Sequence, residues 1–371
     1  INNNIYILTL MISSLRLLNF KAFENQLIEF KSLTLLSGYN NTAKSSVFQA
    51  LSLLHQSYQQ SLLQSTGLLL NGNLVNIGTA NDALYENAKQ DYVGFELSLK
   101  NGTKGTWHFK YNSLEREANF LESGFNSVDA DVYQSSIFSK EFHHLQSERA
   151  TTASGILNYE RRELRQIGAL GEYTAHFLYT YGSQPIPIAE LAHPQAKSTN
   201  LLDQVEAWMG EISYGLRIQV NAHLDMDLVN LKFSDPIGYG ITYVLPIIVA
   251  ILASSSGALI LIEHPETGLH PQAQTKLSKL LALAANCGVQ VVVETHSDQI
   301  LNGIRLAVHG GKIEPEDVQL HYFQRQENQG QAFIKVVSPR INRDGRIDRW
   351  PDGFFDEWEN ILMVLLEPAK L

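Results

Sequence analysis

The sequence predicts an α/β fold in which helices cover a mixed sheet, and three observations indicate it. The apolar run 33–36 is followed by a glycine-containing loop and then by apolar residues at helical spacing. Two largely apolar segments, 258–262 and 289–293, in which Gln290 is the one polar residue, alternate with helical patterns, as expected for parallel strands buried on both faces. Strand-like segments also stand near both ends of the chain, so antiparallel strands are expected as well.

Each element is predicted from a local pattern of apolar residues and turn residues. Strands are predicted over 12–20 and 25–30 (as a hairpin), 33–36, 92–111 (as a second hairpin), 216–220, 227–233, 258–262, 289–294, 318–324 and 331–337. Helices are predicted over 46–63, 159–181, 198–212, 241–252 and 272–286, from 297 onward, and around 354–365. Residues 112–150 show no strong period and many Ser, Asn and Glu, so a variable surface excursion is expected there.

The length and composition are those of a globular protein with a sizeable core. A chain of 371 residues, 44% of them apolar, allows one large domain or two. Because Met11 is expected to be the natural start, residues 1–10 are expected to be an upstream segment. A main domain is expected over 11–310, with an insertion near 112–150 and a strand–helix extension over 311–371.

Charge and cysteine content narrow the class of protein. The net charge of −10 weighs against a protein that coats nucleic acid, although it allows a local basic groove. A single cysteine, Cys287, excludes an internal disulfide and a thiolate zinc cluster, which fits a reducing, cytoplasmic setting.

One apolar stretch is long enough to cross a membrane. Residues 241–262 carry no charge, but the segment ASSSG at 253–257 divides them into a helix-length piece and a five-residue piece. A buried helix, a turn and a buried strand are therefore expected, with no membrane contact.

The segment SGYNNTAKSS at 37–46 predicts a phosphate loop. Gly38, Lys44 and Ser45 match the pattern G-x-x-x-x-G-K-[ST], while Ala43 holds the place of the second glycine. Backbone N–H groups at such a strand-to-helix turn converge on phosphates, Lys44 would bind phosphate oxygens, and Ser45 would present its hydroxyl to Mg²⁺. The predicted nucleotide-binding residues here are Gly38, Asn40, Asn41, Ala43, Lys44, Ser45 and Ser46. The alternative is an Asn-rich turn that caps a helix.

Two strands end in polar residues that favour a nucleotide site. Glu263 ends the strand ALILIE and would hold the Mg²⁺ shell. His296 follows the neighbouring strand and could hydrogen-bond a phosphate or the attacking water. As isolated features, these residues would be a strand-end acid and a neighbour of a helix cap.

A glycine-rich helix start precedes the first of these strands. Gly238 and Gly240 open the long apolar helix, with Thr242 in its first turn. Because Lys44 already serves one phosphate site, this helix start is expected to act on the nucleotide of another subunit. A flexible helix entry is the alternative.

The order of these motifs resembles the ABC-type ATPase heads of the RecF/SMC/OLD group. It is most similar to the standalone bacterial AAA-family ATPases of phage-defence loci, whose pattern EEPExxLHP is followed by EHPETGLHP at 263–271. The resemblance implies an ABC-type P-loop ATPase head with a β-subdomain, a helical lobe and no long coiled coil. It also implies ATP and Mg²⁺ as cofactors and a head-to-tail dimer, or a higher oligomer, with ATP between subunits.

The resemblance also assigns roles to individual residues. Lys44 and Ser45 would bind phosphate and Mg²⁺, Glu263 would be the Walker B acid, and His296 would be the switch histidine. Gly238, Gly240 and Thr242 would form the signature that acts in trans, and 267–270 would form the D-loop.

Two positions depart from the family pattern. Ala43 replaces a glycine, and His264 stands where these ATPases usually carry the glutamate that polarises water. Glu266 could act as the base instead, or a neutral His264 could orient water. Both departures predict slow hydrolysis and a long-lived ATP-bound dimer.

Three hypotheses of function stay open. The first is an ATPase switch that controls a separate effector such as a nuclease in anti-phage defence, since the sequence itself carries no nuclease constellation. The second is a nucleotide-gated scaffold or sensor without meaningful hydrolysis. The third is a RecF-like repair ATPase that binds nucleic acid.

Overall fold

The computed structural model describes residues 10–149, 154–156, 165–223, 228–234, 239–328 and 331–366. All but the last residue of the expected upstream segment 1–10 lie outside these ranges, as does Gly238 of the predicted signature.

An antiparallel sheet forms the first part of the molecule. Its strands run in the order β2-β1-β5-β6-β7-β4. Their bounds are β1 Ile12–Phe20, β2 Phe23–Glu29, β4 Gly67–Leu69, β5 Tyr92–Leu99, β6 Lys104–Lys110 and β7 Phe120–Val128. The two predicted hairpins, β1–β2 and β5–β6, are confirmed.

The central sheet carries the predicted functional segments. Its order is β15-β14-β3-β13-β12-β8, and all neighbours are parallel except β14 and β15. The bounds are β3 Leu33–Gly38, β8 Phe142–Leu145, β12 Leu259–Glu263, β13 Gln290–Glu294, β14 Val318–Asn328 and β15 Gln331–Val337. The carboxyl ends of β3, β13 and β12 therefore meet at one edge.

A third, three-stranded sheet and the helices complete the described part of the chain. This sheet has the order β10-β11-β9, with β9 Ser154–Ile156, β10 Ile218–His223 and β11 Leu228–Phe233. The helices are α1 Ser45–Gln59, α2 Ala80–Ala83, α3 Thr174–Tyr181, α4 Leu201–Ile212, α5 Tyr239–Ala253, α6 Pro271–Asn286, α7 Asp298–His309 and α8 Glu357–Leu366.

Helices cover both faces of the central sheet, as the apolar strands predicted. Ile260 and Ile262 of β12 pack into one hydrophobic cluster, which includes α5 and α6. Leu259 and Leu261, on the other face, pack into a second cluster, which includes α1 and the antiparallel sheet. Side chains of a strand alternate between its faces, so a wholly apolar strand needs a core on each side.

Two predicted segments differ from the structure. Within 112–150, expected on the surface, the structure contains β8, whose four residues are all buried beside β12. Four residues carry too short a pattern to reveal a strand that tertiary pairing stabilises. For the helix predicted over 159–181, the structure describes 165–181, and within that range the helix is limited to α3; residues 157–164 lie outside the described residues.

The uncharged stretch 241–262 forms α5 from its third residue onward, a turn, and β12 up to Ile262, as predicted. No helix in the described ranges combines the length and apolar character that crossing a membrane requires.

Candidate functional site

The predicted phosphate loop lies between β3 and α1, at the carboxyl edge of the central sheet. Lys44 is folded back over the loop and is only 4% exposed. Its Nζ donates to the carbonyl oxygens of Gly38 at 3.1 Å and Tyr39 at 2.9 Å. Burial lowers the pKa of Lys44, and the nearby Glu294 carboxylate opposes that shift. The ammonium group is therefore held at the loop before any phosphate arrives.

The loop backbone contains residues in the left-handed region. Gly38 has φ +146°, and a Cβ there would lie 2.4 Å from the carbonyl oxygen of Phe323. Asn41 and Ala43 both have φ 62°. A non-glycine residue in this region costs about 1–2 kcal/mol. Ala43 thus adopts the conformation that a glycine would adopt without strain.

The acid at the end of β12, Glu263, is held by two hydrogen bonds. Oε1 lies 3.1 Å from His144 Nε2, and Oε2 accepts from the Ser147 N–H at 3.0 Å. His144 Nδ1 lies 2.8 Å from Ser52 Oγ, so the Ser52 hydroxyl can donate to Nδ1 and leave the Nε2 proton for Glu263. Burial raises the pKa of Glu263, but the bonds from His144 and Ser147 outweigh it and hold the pKa below its ordinary value.

A buried arginine fixes the backbone around this acid. Arg149 is 1% exposed, and its guanidinium group donates to four main-chain carbonyl oxygens at 2.6–2.9 Å. The acceptors belong to Gln146, Glu263, His264 and Tyr243. Since Tyr243 lies on α5, Arg149 connects the predicted signature helix to the end of β12.

The end of β13 brings a second acid into the site, and the sequence analysis missed it. Glu294 pairs in register with Glu263 on one side and Leu36 on the other. Its Oε1 accepts from Ser45 Oγ at 3.1 Å and lies 3.9 Å from Lys44 Nζ. Its Oε2 is buried without a hydrogen-bond partner among the described residues. Burial raises the pKa of Glu294. The available signal was the repeated pattern of an apolar strand that ends in Glu.

The loop after β12 contacts the loop after β13. Glu266 accepts from Thr295 Oγ1 at 2.7 Å and from the His296 N–H at 3.0 Å, and it lies 3.6 Å from His264 Nδ1. The nearby Glu266 carboxylate raises the pKa of His264, because it stabilises the protonated imidazole. The rings of His264 and His296 stack at 5.1 Å, and His264 has φ 43°. Both residues proposed to act on water thus lie beside the predicted switch histidine.

The predicted signature helix starts against the loop that follows β12. A Cβ on Gly240 would lie 2.1 Å from the carbonyl oxygen of Gly268, so only glycine allows this approach. Thr242 is half-buried in the first turn of α5.

A cavity of about 560 Å³ opens beside the phosphate loop. It is lined by Gly38, Asn40 and His296 on one side and by Tyr322, Phe355 and Asp356 on the other. The C-terminal segment approaches closely here, because a Cβ on Gly353 would lie 2.4 Å from Tyr39 Oη. The structure therefore gathers the predicted loop residues, Glu263, His264, Glu266 and His296 at one edge of the sheet.

A metal ion at this edge would need oxygen atoms from a bound molecule, such as a nucleotide, to complete its coordination. No group of three or more His, Cys, Asp or Glu in the described ranges is arranged to hold an ion. Two acids and the Ser45 hydroxyl nevertheless supply the oxygen atoms that Mg²⁺ prefers, and phosphate oxygens commonly complete its coordination.

Family comparisons agree with this architecture. Residues 33–302 match an AAA domain described as a putative AbiEii toxin of a type IV TA system. Residues 313–365 match DUF3696, described as a protein of unknown function. A search of curated proteins finds no match.

A solved structure shows the same fold. The chain is similar to the one in the crystal structure of the SmcHead bound to the C-winged helix domain of ScpA, with TM-score 0.52 and 11% identity. That match covers 88% of this chain and 98% of the other. The SMC head domain from Thermotoga maritima matches with TM-score 0.44 and 12% identity, over 88% of this chain and 99% of that one. The predicted fold, an ABC-type ATPase head without a long coiled coil in the described ranges, is confirmed.

Proposed function

The chain belongs to the AAA-domain family described as a putative AbiEii toxin of a type IV TA system, and from this premise we propose that it is an ATP-dependent switch. It binds ATP with Mg²⁺, hydrolyses ATP slowly, and associates head to tail with a second copy. The ATP-bound dimer then controls a separate effector protein.

One observation carries the proposal. Lys44 and Ser45 of the phosphate loop lie within 3.9 Å of an acid at the end of β13, which pairs with the strand of Glu263. An ammonium group, a hydroxyl and two carboxylates are thus adjacent at the edge where α/β sheets bind nucleotides. Lys44 would bind the phosphates, and bound Mg²⁺ would offset their negative charge.

The surroundings of the strand ends support slow hydrolysis. His264 occupies the place of the expected glutamate and lies 3.6 Å from Glu266, whose two carboxylate oxygens already accept hydrogen bonds from Thr295 and His296. A general base works best when it is free to accept a proton from water. Glu266 would have to give up these partners first, so turnover is expected to be slow.

The predicted signature supports association with a second copy. Gly240 and Thr242 stand at the start of α5, and Gly238 precedes them outside the described residues. A glycine-rich helix start is an anion site, and Lys44 already serves the nucleotide of its own subunit. These residues would act on the nucleotide of the partner copy.

The effector belongs to the proposal as well. The family description names a toxin of a toxin–antitoxin system, which favours a role in defence. Because the sequence carries no nuclease constellation, an effector such as a nuclease would be a separate protein. A cytoplasmic location fits this role.

A second candidate is a nucleotide-gated sensor without meaningful turnover. The strained Ala43 and the histidine at position 264 favour it. The third hypothesis, direct binding of nucleic acid in a repair ATPase, is disfavoured by the net charge of −10.

Nucleotide binding and turnover in the purified chain test the proposal. Lys44→Ala should weaken the affinity for a fluorescent ATP analogue about tenfold to a hundredfold, because a charge-assisted contact of about 1.5–3 kcal/mol is lost. Lys312→Ala removes an exposed lysine and should leave binding unchanged. Equal affinity in all three proteins would refute the assignment.

The rate of ATP hydrolysis distinguishes the proposed ATP-dependent switch from the nucleotide-gated sensor. A switch should hydrolyse ATP measurably, and Glu263→Gln should abolish that activity. A sensor predicts no difference between the two proteins. Molecular mass measured by light scattering should double when ATP is added, and a constant mass would contradict the dimer.

A further inference from the structure

Glu294 is the acid in this site whose hydrogen bonding is incomplete among the described residues. Its side chain is buried, with the residue 3% exposed. Oε1 has the Ser45 hydroxyl at 3.1 Å, but Oε2 lacks a hydrogen-bond partner in the described part of the chain. Glu263, the matching residue on β12, has both oxygens occupied by hydrogen bonds.

A buried carboxylate oxygen without a partner is costly. Leaving a buried polar group unsatisfied costs about 1–3 kcal/mol, and more when the group is charged. Lys44 compensates only in part, since it lies 3.9 Å away and also donates to two carbonyl oxygens. The neighbouring Glu263 carboxylate adds repulsion. A second cation at Glu294 would remove this cost.

ATP would increase the need for such a cation. Once Lys44 contacts phosphate, its charge is shared with a polyanion, and two acids stay next to that polyanion. Mg²⁺ takes oxygen ligands and usually binds through one or two carboxylates together with substrate phosphates. Ser45, whose hydroxyl is expected to face Mg²⁺, already contacts Glu294 rather than Glu263.

We propose that Glu294, together with Ser45, supplies the protein oxygens that bind the Mg²⁺ of the nucleotide. Glu263, held by His144 and Ser147, then acts from outside the coordination sphere. This assignment rests on the proposed function, since it needs a bound nucleotide. It differs from the family resemblance, which assigns the metal to Glu263.

The competing explanation is that Glu294 is only a counterion for Lys44. In that case its neutralisation would change nucleotide affinity equally with and without metal. A metal ligand instead predicts an effect confined to the metal.

The test measures Mn²⁺ binding by electron paramagnetic resonance in the presence of AMP-PNP, which is not hydrolysed. Glu294→Gln should weaken Mn²⁺ affinity at least about tenfold, by comparison with the 10–100-fold losses seen when even outer-shell groups of metal sites are removed. Affinity for AMP-PNP in EDTA should change less than twofold. Glu122→Gln, which neutralises an exposed acid of the same type, should leave both unchanged.

Further variants make the outcome decisive. Glu294→Asp keeps the charge and should weaken Mn²⁺ less than Glu294→Gln, and Glu263→Gln should also have the smaller effect. The inference is overturned if Glu263→Gln has the larger effect, or if Glu294→Gln shifts AMP-PNP affinity equally in EDTA. If the wild-type chain does not bind AMP-PNP at all, the proposed function fails along with the inference.

Discussion

Glu263 and Glu294 stand at the same register position on neighbouring parallel strands, yet their environments are opposite. Two hydrogen bonds, from His144 and Ser147, hold the pKa of Glu263 below its ordinary value despite burial. Burial raises the pKa of Glu294, for which the described residues provide one hydrogen bond, from Ser45. The strand pattern that precedes each acid is the same, so the difference comes from neighbours that are distant in sequence.

The two environments suit two different roles of a buried acid. Glu263 is satisfied within the protein, and its hydrogen bonds fix its position at the edge of the sheet. Glu294 is poorly satisfied and gains from any cation that arrives. Functional sites commonly retain such destabilised groups because binding stabilises them.

The largest expected effect comes from removing the hydrogen bonds that hold the main chain around Glu263. Arg149→Ala removes four hydrogen bonds from a buried guanidinium group to main-chain carbonyl oxygens, including those of Glu263 and His264. We expect the free energy of unfolding to fall by at least about 3 kcal/mol, because a hydrogen bond from a charged group contributes about 1.5–3 kcal/mol. Urea denaturation measures the change. Arg305→Ala, which removes a less buried arginine on α7, should cost less, and an equal loss would contradict the role of Arg149.

The two acids should be compared at neutral pH. At lower pH, the protonation of buried histidines destabilises the fold. Burial lowers the pKa of His55 and of His143 to about 4 in each case. The unfolded chain therefore takes up more protons below pH 6.5, and the stability present above that pH is lost as the pH falls towards 4. Each histidine should cost about 2 kcal/mol between pH 7 and pH 5.

Unfolding curves recorded at the two pH values check this expectation. His143→Gln should flatten the pH dependence, whereas His223→Gln, at a partly exposed position, should not. A pH slope that is the same in both variants would show that another group titrates.

A pair of isosteric variants tests the comparison directly. At pH 7 without nucleotide, Glu263→Gln should destabilise the fold by about 1 kcal/mol, because two charge-assisted hydrogen bonds become weaker. Glu294→Gln should stabilise it by a similar amount, because a poorly compensated buried charge is removed. Thermal unfolding measures both. Shifts of the same sign would mean that the two environments do not differ as described.

The smallest effect concerns the phosphate loop opposite these acids. Ala43→Gly removes about 1–2 kcal/mol of left-handed strain, but glycine adds about 0.4–1 kcal/mol of unfolded-chain entropy. The net gain in stability should therefore lie between about 0 and 1.6 kcal/mol, with about 0.8 kcal/mol at the middle of these ranges. Gly240→Ala is the opposite change and should destabilise, since its Cβ would meet the Gly268 carbonyl. Urea denaturation measures the free energy of unfolding of both variants. A large loss of stability in Ala43→Gly would show that the methyl group of Ala43 contributes favourable packing.

The sequence alone determined the local elements and their order. The strand β3, the loop with Lys44 and Ser45, and the start of α1 are contiguous, so their spacing reveals them. The apolar runs within β12 and β13 likewise predicted a sheet buried on both faces, because consecutive apolar residues on a strand place apolar side chains on each face. The short strand β8 was missed, since four residues leave too little pattern.

Only the tertiary structure decided which acid meets the phosphate loop. Ser45 and Glu294 are 249 positions apart, and His144 and Glu263 are 119 apart, so no local pattern connects them. Strand order places β13, and not β12, next to β3. The environment of a buried carboxylate depends on the few donors within hydrogen-bonding distance, and those donors are fixed when the sheet assembles.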